Sequence, residues 1–353
     1  MSKLQVSIAD CFSCQFDLIE SLLNSTFGDR ISIHAFSYTK ENPIFSDNLP
    51  DVFCNYIDFK EYGYNLHDYT NYILGYCEQG KMDILFVGKN TSVFEGMRSN
   101  FERIGVTLIT GTYGLDTKDQ INNKYLFAQY CEQVGLPFIP TYLFNSVEEL
   151  KEKMADADLN CSYVAQDGSP KFCVKPSTGI YASGFFVLDD DASMFKQLSE
   201  QYVASTENFI KAYSEYVTKP EYVLMPHIKG AECSLDIICD KGEYLDAIQR
   251  IKGDSTQLIQ RPKVEQLVQT AKLIVKDLNL DGLINIQFIQ HSDDVWLPLE
   301  VNSRPSGGYV FTHHLGFSLF NNLIAHKLGL ADVEYSEIES VKVRPTTSSM
   351  RVK

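Results

Sequence analysis

The stretch "NIQFIQHSDDVWLPLEVNSRPSGG", Asn285 to Gly308, decides how the chain is read. Two strand-like runs, "LINIQFIQ" and "VWLPLEVN", flank the short polar "HSDD", which predicts a hairpin. Side chains alternate faces along a strand, so Asn285 and Gln287 share one face while Ile286 and Phe288 take the other. By the same rule Glu300 and Asn302 share a face opposite Leu299 and Val301. If the register brings the polar faces together, Gln287, Glu300 and Asn302 form a concave surface of hard oxygen donors, which suits Mg²⁺ shared with substrate phosphates. Arg304, just beyond the second strand, can set a guanidinium against the same phosphates. The ordinary alternative is a half-exposed hairpin whose polar face meets water.

Around this segment the composition is that of a globular protein. The 353 residues are 44% hydrophobic and 22% charged, with no repeat or low-complexity tract, and the length fits two or three domains. A formal net charge of −15 and the lack of a long basic run argue against a nucleic-acid partner, whose backbone would be repelled. No apolar run approaches the roughly 20 residues that span a bilayer. The opening "MSKLQVSIAD" also lacks a cationic and hydrophobic leader, so a cytoplasmic location without a membrane partner is expected. The nine cysteines are odd in number and scattered through apolar segments, as reduced buried thiols would be. Cys11 and Cys14 have redox spacing, but that spacing alone is a weak signal and buried or loop cysteines are the better reading.

The first third alternates strand and helix patterns: "LQVSIAD", "FDLIESLLNS", "ISIHAF", "LHDYTNYILGYCEQG", "DILFVG", "SVFEGMRSNFERIG" and "VTLIT". That order predicts a parallel sheet covered by helices, an α/β domain over 1–115. A helix in "TKDQINNKYLFAQYCEQVGLP" leads into an α+β unit over 116–222, with strands at "FIPTYLF", "FCVKPS" and "GFFVLDD" and helices at "SVEELKEKM" and "ASMFKQLSEQYVAS". The remainder, 223–353, holds strands on either side of the Asp240–Gly242 turn, the helix "PKVEQLVQTAKLIVKDLNL", the hairpin, the helix "FSLFNNLIAHKLG" and a final strand with its tail. A dehydrogenase is excluded, because "IADCFSCQFDLIE" after the first strand has no GxGxxG.

The run "GLINIQF…LEVNSRPSGG" closely resembles the metal-binding hairpin of the ATP-grasp superfamily, especially the synthetase halves of the carbamoyl-phosphate synthase large chain. The resemblance extends over nearly the whole chain and implies an ATP-grasp fold. Its parts are a Rossmann-like first domain, a small lid and a C-terminal lobe, with ATP held between two sheets. Carried over residue by residue, it implies that Lys124 in "NNKYLF" and Lys175 in "FCVKPS" hold phosphates. Gly179, Ser183 and Gly184 would let the loop backbone approach an anion. In "YVLMPHIKGAECSLDII", Met225, Pro226, His227 and Ile228 would line adenine and Glu232 would accept from the ribose hydroxyls. Gln287, Glu300 and Asn302 would bind Mg²⁺, with Mn²⁺ a chemical substitute. Many members carry a carboxylate where Met225 or Pro226 stands, which puts base selectivity in question, and Ser303 stands where Pro is frequent. A narrower resemblance, in "DILFVGKNTSVFEGMRSNFERIGVTLIT" and "NSRPSGG", is to the ATP-grasp proteins of tellurite-resistance-type operons.

The resemblance implies a carboxylate–amine ligase working through an acyl phosphate, with small-molecule carboxylate and amine substrates and room for a homodimer. Arg304 would stabilise the phosphoryl group, and Arg250 in "AIQRIKGDS" would anchor the carboxylate, its alternative being a surface arginine. Ser306 to Gly308 would form an anion-receiving turn, and His313 and His314 are read as structural. The rival readings are an ATP-grasp kinase and an ATP-binding regulatory module. The strand ends at Cys11–Cys14 and Val87–Ser92 are candidates for substrate choice, since ligands collect there in open α/β sheets.

Overall fold

The computed structural model describes residues 2–11, 14–49, 51–58, 60, 65–160, 171–179, 183–292, 295–331 and 333–346. Residues 161–170, most of the polar stretch "NCSYVAQDGSPK" that reads as a loop, residues 180–182 of the phosphate loop, Asp293 and Asp294 of the hairpin turn, and the tail from 347 lie outside these. The chain divides into two compact units. The first is Met1–Lys118 with Cys233–Ile286 and Val301–Lys353; the second is Asp119–Glu232 with Gln287–Glu300.

The first sheet has the order β3-β2-β1-β4-β5, all parallel, from β1 (Leu4–Ala9), β2 (Ile31–Ser37), β3 (Val52–Tyr56), β4 (Ile84–Val87) and β5 (Thr107–Ile109). Ile84 to Val87 are all buried, as a central parallel strand covered on both faces must be. Helices α1 (Gln15–Leu23) and α2 (Leu66–Gly80) supply the cover, and Asn65 starts α2 by accepting from the His67 N–H. The single helix expected over "SVFEGMRSNFERIG" is two, α3 (Thr91–Gly96) and α4 (Arg98–Arg103), interrupted at Met97. The short β6 (Gly111–Thr112) then leaves this sheet to pair antiparallel with a later strand.

Two further helices follow, α5 (Lys118–Asn122) and α6 (Lys124–Gln133), and the helical spacing of Leu126, Phe127, Tyr130 and Cys131 falls on α6. Asn123 separates them by accepting from the Tyr125 and Leu126 N–H groups, which makes Lys124 a first-turn residue. The second unit continues with β7 (Tyr142–Phe144), α7 (Val147–Asn160), β8 (Phe172–Pro176), β9 (Phe186–Leu188), α8 (Met194–Ser199), β10 (Val203–Ala204), α9 (Thr206–Ser214) and β11 (Tyr222–Pro226). Its sheet runs β10-β9-β8-β11-β7. Strand β10 and helix α9 were not read in the sequence, where one long helix was expected after Ala192.

The last elements are β12 (Glu232–Asp240), β13 (Glu243–Lys252), β14 (Gln257–Gln260), α10 (Glu265–Asp277), β15 (Leu280–Ser292), β16 (Val295–Asn302), α11 (Leu319–Lys327) and β17 (Ser340–Val343). They form a sheet of order β16-β15-β12-β13-β14-β17, with β6 added on β15. The core of the first unit draws on all three of its segments, and within it Phe86 of β4 packs edge-on against Phe320 of α11, with ring centroids 4.9 Å apart.

At the C-terminal end of β1, where strand order reverses between β1 and β4, Asp10 is buried with a left-handed backbone (φ 43°). Tyr69 donates its hydroxyl to Asp10, and the Tyr38 N–H approaches the same carboxyl. Burial nevertheless raises this carboxyl from 3.8 to about 6, against the lowering effects of Tyr69, Tyr38 and Lys89. Folding therefore favours its protonated form, and that contribution to stability is complete below the ordinary carboxylate value and is lost as pH rises through about 6. Asp10→Asn, which keeps an acceptor for Tyr69, is expected to remove this loss. Urea midpoints between about pH 4 and about pH 7 should show the variant gaining on the wild type by on the order of 3 kcal/mol at the upper end; parallel profiles would contradict the assignment.

Candidate functional site

In the second unit, Lys124 opens α6 and Lys175 lies on β8, where it pairs with Val223 of β11. The Lys124 N–H donates to Ser177 O at 2.8 Å, and its ammonium donates to Gly179 O at 3.3 Å. The helix start is thus tied to the segment that follows β8. Burial holds the Lys124 ammonium below its ordinary pKa, Lys175 lowers it further, and Glu300 of β16 opposes both. Two lysines and the expected metal carboxylate therefore share one electrostatic neighbourhood. Gly184, at φ 73°, lies so near Tyr222 and Pro176 that an added Cβ would stand 2.6 Å from the tyrosine hydroxyl. Only glycine lets the chain fold back there; Ser183 beside it is exposed.

The expected adenine segment is mainly apolar. Met225 is buried with Cys173, Val223 and Leu297, and Ile228, Phe185 and Leu299 pack against that group. The His227 N–H donates to Lys171 O at 2.8 Å. Glu232, half-buried, begins β12. The preceding turn is pinned to β15: Gln290 N–H donates to Ala231 O at 2.9 Å, and a Cβ on Gly230 would meet Gln290 O at 1.7 Å. Gln287 and Glu300 are half-buried on β15 and β16.

In the first unit the arrangement centres on Asp236, a fully buried carboxylate on β12 that the sequence reading passed over. Arg250 of β13 donates Nε to Asp236 Oδ2 at 2.5 Å, Nη1 to Gln257 Oε1 at 3.1 Å and Nη2 to Ser306 Oγ at 2.6 Å. Asn285 donates to Asp236 Oδ1 at 2.9 Å, and Ser306 Oγ donates to the same oxygen at 3.1 Å. Two expectations change. Arg250 is no surface arginine, since it is only 3% exposed and its guanidinium is occupied by protein partners. Asn285 does not face a ligand surface, because β15 is covered on both sides at that point and the asparagine is fully buried. An acid inside the apolar run "CSLDII" was the available signal for Asp236.

Asn302 and Arg304 are half-buried, and Arg304 Nη1 donates to Pro305 O at 3.1 Å. Gly111, at φ 86°, brings β6 against this turn: a Cβ there would lie 1.9 Å from Ser303 O. Cys11 and Cys14 are buried, and burial pushes the Cys11 thiol far up and that of Cys14 to about 12. Neither supplies a thiolate near neutrality, as the better sequence reading expects.

Among the described residues no three His, Cys, Asp or Glu side chains converge as a metal cage. A divalent ion held by one carboxylate and two amides would need phosphate oxygens to complete its shell, which is Mg²⁺ behaviour. The donor types present fit that ion.

Comparisons agree with this architecture. Residues 218–352 match the family described as ATP-grasp in the biosynthetic pathway with Ter operon. The arginine-specific large chain of carbamoyl phosphate synthase from Geobacillus stearothermophilus is 27% identical over 243 residues, 65% of this chain and 20% of the relative. The chain thus spans about a fifth of that relative's length. Among solved structures, the ADP complex of N5-carboxyaminoimidazole ribonucleotide synthetase superposes with a TM-score of 0.66 at 15% identity, over 97% of this chain and 81% of that one. An L-amino acid ligase from Bacillus licheniformis gives 0.61 at 15% identity, over 98% and 82%.

The buried pair should be costly to break. Asp236→Asn leaves the Arg250 charge short of its counterion, and a loss of about 3–5 kcal/mol is expected in urea unfolding. A loss below about 1 kcal/mol would show that Asp236 is not the hub of this lobe.

Proposed function

From the ATP-grasp fold of this chain, we propose an ATP-dependent carboxylate–amine ligase that releases ADP and phosphate. The observation that carries the reading is the neighbourhood of Lys124, Lys175 and Glu300. Two ammonium groups held near each other while partly desolvated repel, and a polyanion relieves that repulsion. Amide or peptide formation, as distinct from phosphate binding, is supported by the kinds of enzyme the chain resembles, among them an L-amino acid ligase.

In this reading Met225, His227 and Ile228 line the adenine and Glu232 accepts from the ribose. Lys124, Lys175 and the backbone at Ser183 and Gly184 hold the phosphates. Gln287, Glu300 and Asn302 would hold Mg²⁺, or Mn²⁺ in its place, which would supply positive charge to the phosphate oxygens. A substrate carboxylate oxygen takes the γ-phosphoryl group, ADP leaves, and the amine then attacks the acyl carbon, releasing phosphate and one proton. The chain's part is to position reactants and neutralise spreading charge, so it needs no protein nucleophile. Arg304 is assigned to stabilise the phosphoryl group, as its counterpart in the resembling family would. Arg250, already bonded to Asp236, Gln257 and Ser306, acts through the Ser306–Gly308 turn that it holds.

The test is Mg-ATP-dependent ADP release with pooled amino acids and small carboxylates. Glu300→Ala and Lys175→Met should each lower the rate by about 10²-fold or more, as loss of one charge-stabilising group does. Mass spectrometry of the same reaction should find an amide; a stable phosphorylated acid without an amide would identify a kinase instead.

A further inference from the structure

The first unit contains a cavity of about 400 Å³, walled by one face of α1, the 3₁₀ segment Tyr309–Leu315 and the chain at the end of β17. That volume lies at the small end of ligand pockets, which run from about 300 to 1,000 Å³, and suits an amino acid or dipeptide. Asp17 and Glu20 line it from α1, and residues three apart on a helix share a face. Arg344 lines it from the β17 end.

The charges are left open. Among the described residues neither Asp17 nor Glu20 has a cationic partner, and Arg344 has no carboxylate partner, although all three border one cavity. Burial raises the Asp17 carboxyl above its ordinary value, and the nearby Glu20 adds to the rise. His313 contributes no compensating charge: burial, then His314, lowers its ring to about 4, and its Nε2 faces Ser318 Oγ at 3.3 Å. Two carboxylates on one wall thus lack an ammonium, and a guanidinium elsewhere on the lining lacks a carboxylate, for which its fork is well shaped. A bare phosphate would be repelled by the acids, and a simple polyamine would leave the arginine unanswered.

The cavity also adjoins residues already described. A Cβ placed on Gly308 would stand 2.5 Å from Arg250 Nη1 and 3.5 Å from the ring of Phe311, which lines the cavity. Cys14 feels the charges of both Asp17 and Arg304.

We propose that this cavity binds a small zwitterion, an amino acid or dipeptide, with its ammonium on Asp17 and Glu20 and its carboxylate on Arg344. Its further role as the seat of the amine substrate rests on the ligase reading; the binding itself does not.

Calorimetric titration of the full chain without nucleotide, using the twenty amino acids and alanylalanine, tests the site. At least one zwitterion should bind at millimolar concentration or better. Its N-acetyl and decarboxylated counterparts, and the variants Asp17→Asn and Arg344→Gln, should each bind about tenfold more weakly or worse. Thermal midpoints report that the variants remain folded. No binding across the panel, or wild-type binding by both variants, overturns the proposal. So does binding of a decarboxylated amine that Arg344→Gln leaves unchanged, which would mark a site for amines alone. Adding Mg-ATP separates the two readings: a zwitterion that binds through Asp17 and Arg344 yet never raises ADP release sinks the amine-substrate role while the site stands. Amide formation unchanged in both variants would keep the ligase and remove this site from it.

Discussion

The Asp236–Arg250 pair is the constraint on which the larger sheet and its loops depend. One buried carboxylate on β12 accepts from Arg250 of β13, Asn285 of β15 and Ser306 of the following turn, while the same arginine reaches Gln257 at the start of β14. A buried ion pair is tolerable only when its remaining lone pairs and protons are bonded, so these partners must hold their positions together. One carboxylate thus ties together β12, β13, the buried start of β15 and the turn that carries Ser306.

Close backbone approaches complete the placement. Gly111 admits β6 against Ser303, and Gly230 admits the turn before Glu232 against Gln290. In both cases a methyl group would occupy the position of a carbonyl oxygen. The site side chains stand on chain segments that are fixed by such approaches and by caps, Asn123 setting where Lys124 begins its helix. Burial and the neighbouring Lys175 hold the Lys124 ammonium below its ordinary pKa, with Glu300 opposing both.

Much of the fold was legible because its signals are local. The parallel first sheet follows from alternating apolar strands and helical spacings, and the hairpin from period-two alternation on either side of "HSDD". Misreadings fell where a side chain acts against the run of the pattern. Met97 divides the helix that periodicity would carry through "SVFEGMRSNFERIG". Asn285 obeys alternation yet is buried, because β12 lies beside that strand and Asp236 claims its amide.

By itself the sequence determined which chemistry was on offer. Lysines, an arginine, a carboxylate and two amides occur in an order that suits phosphates and a hard cation, with no nucleophile or dinucleotide loop among the motifs. The tertiary structure alone decided that Arg250 is spent on Asp236, that Lys124 lies within the field of Lys175 and Glu300, and that Asp17, Glu20 and Arg344 border one cavity. Apart from Asp17 and Glu20, which share a helix, these are meetings between residues on different segments of the chain. Alternation and helical spacing fix which way a side chain leaves its own strand or helix, whereas its electrostatic company is set by burial and by the packing of elements that no local pattern encodes.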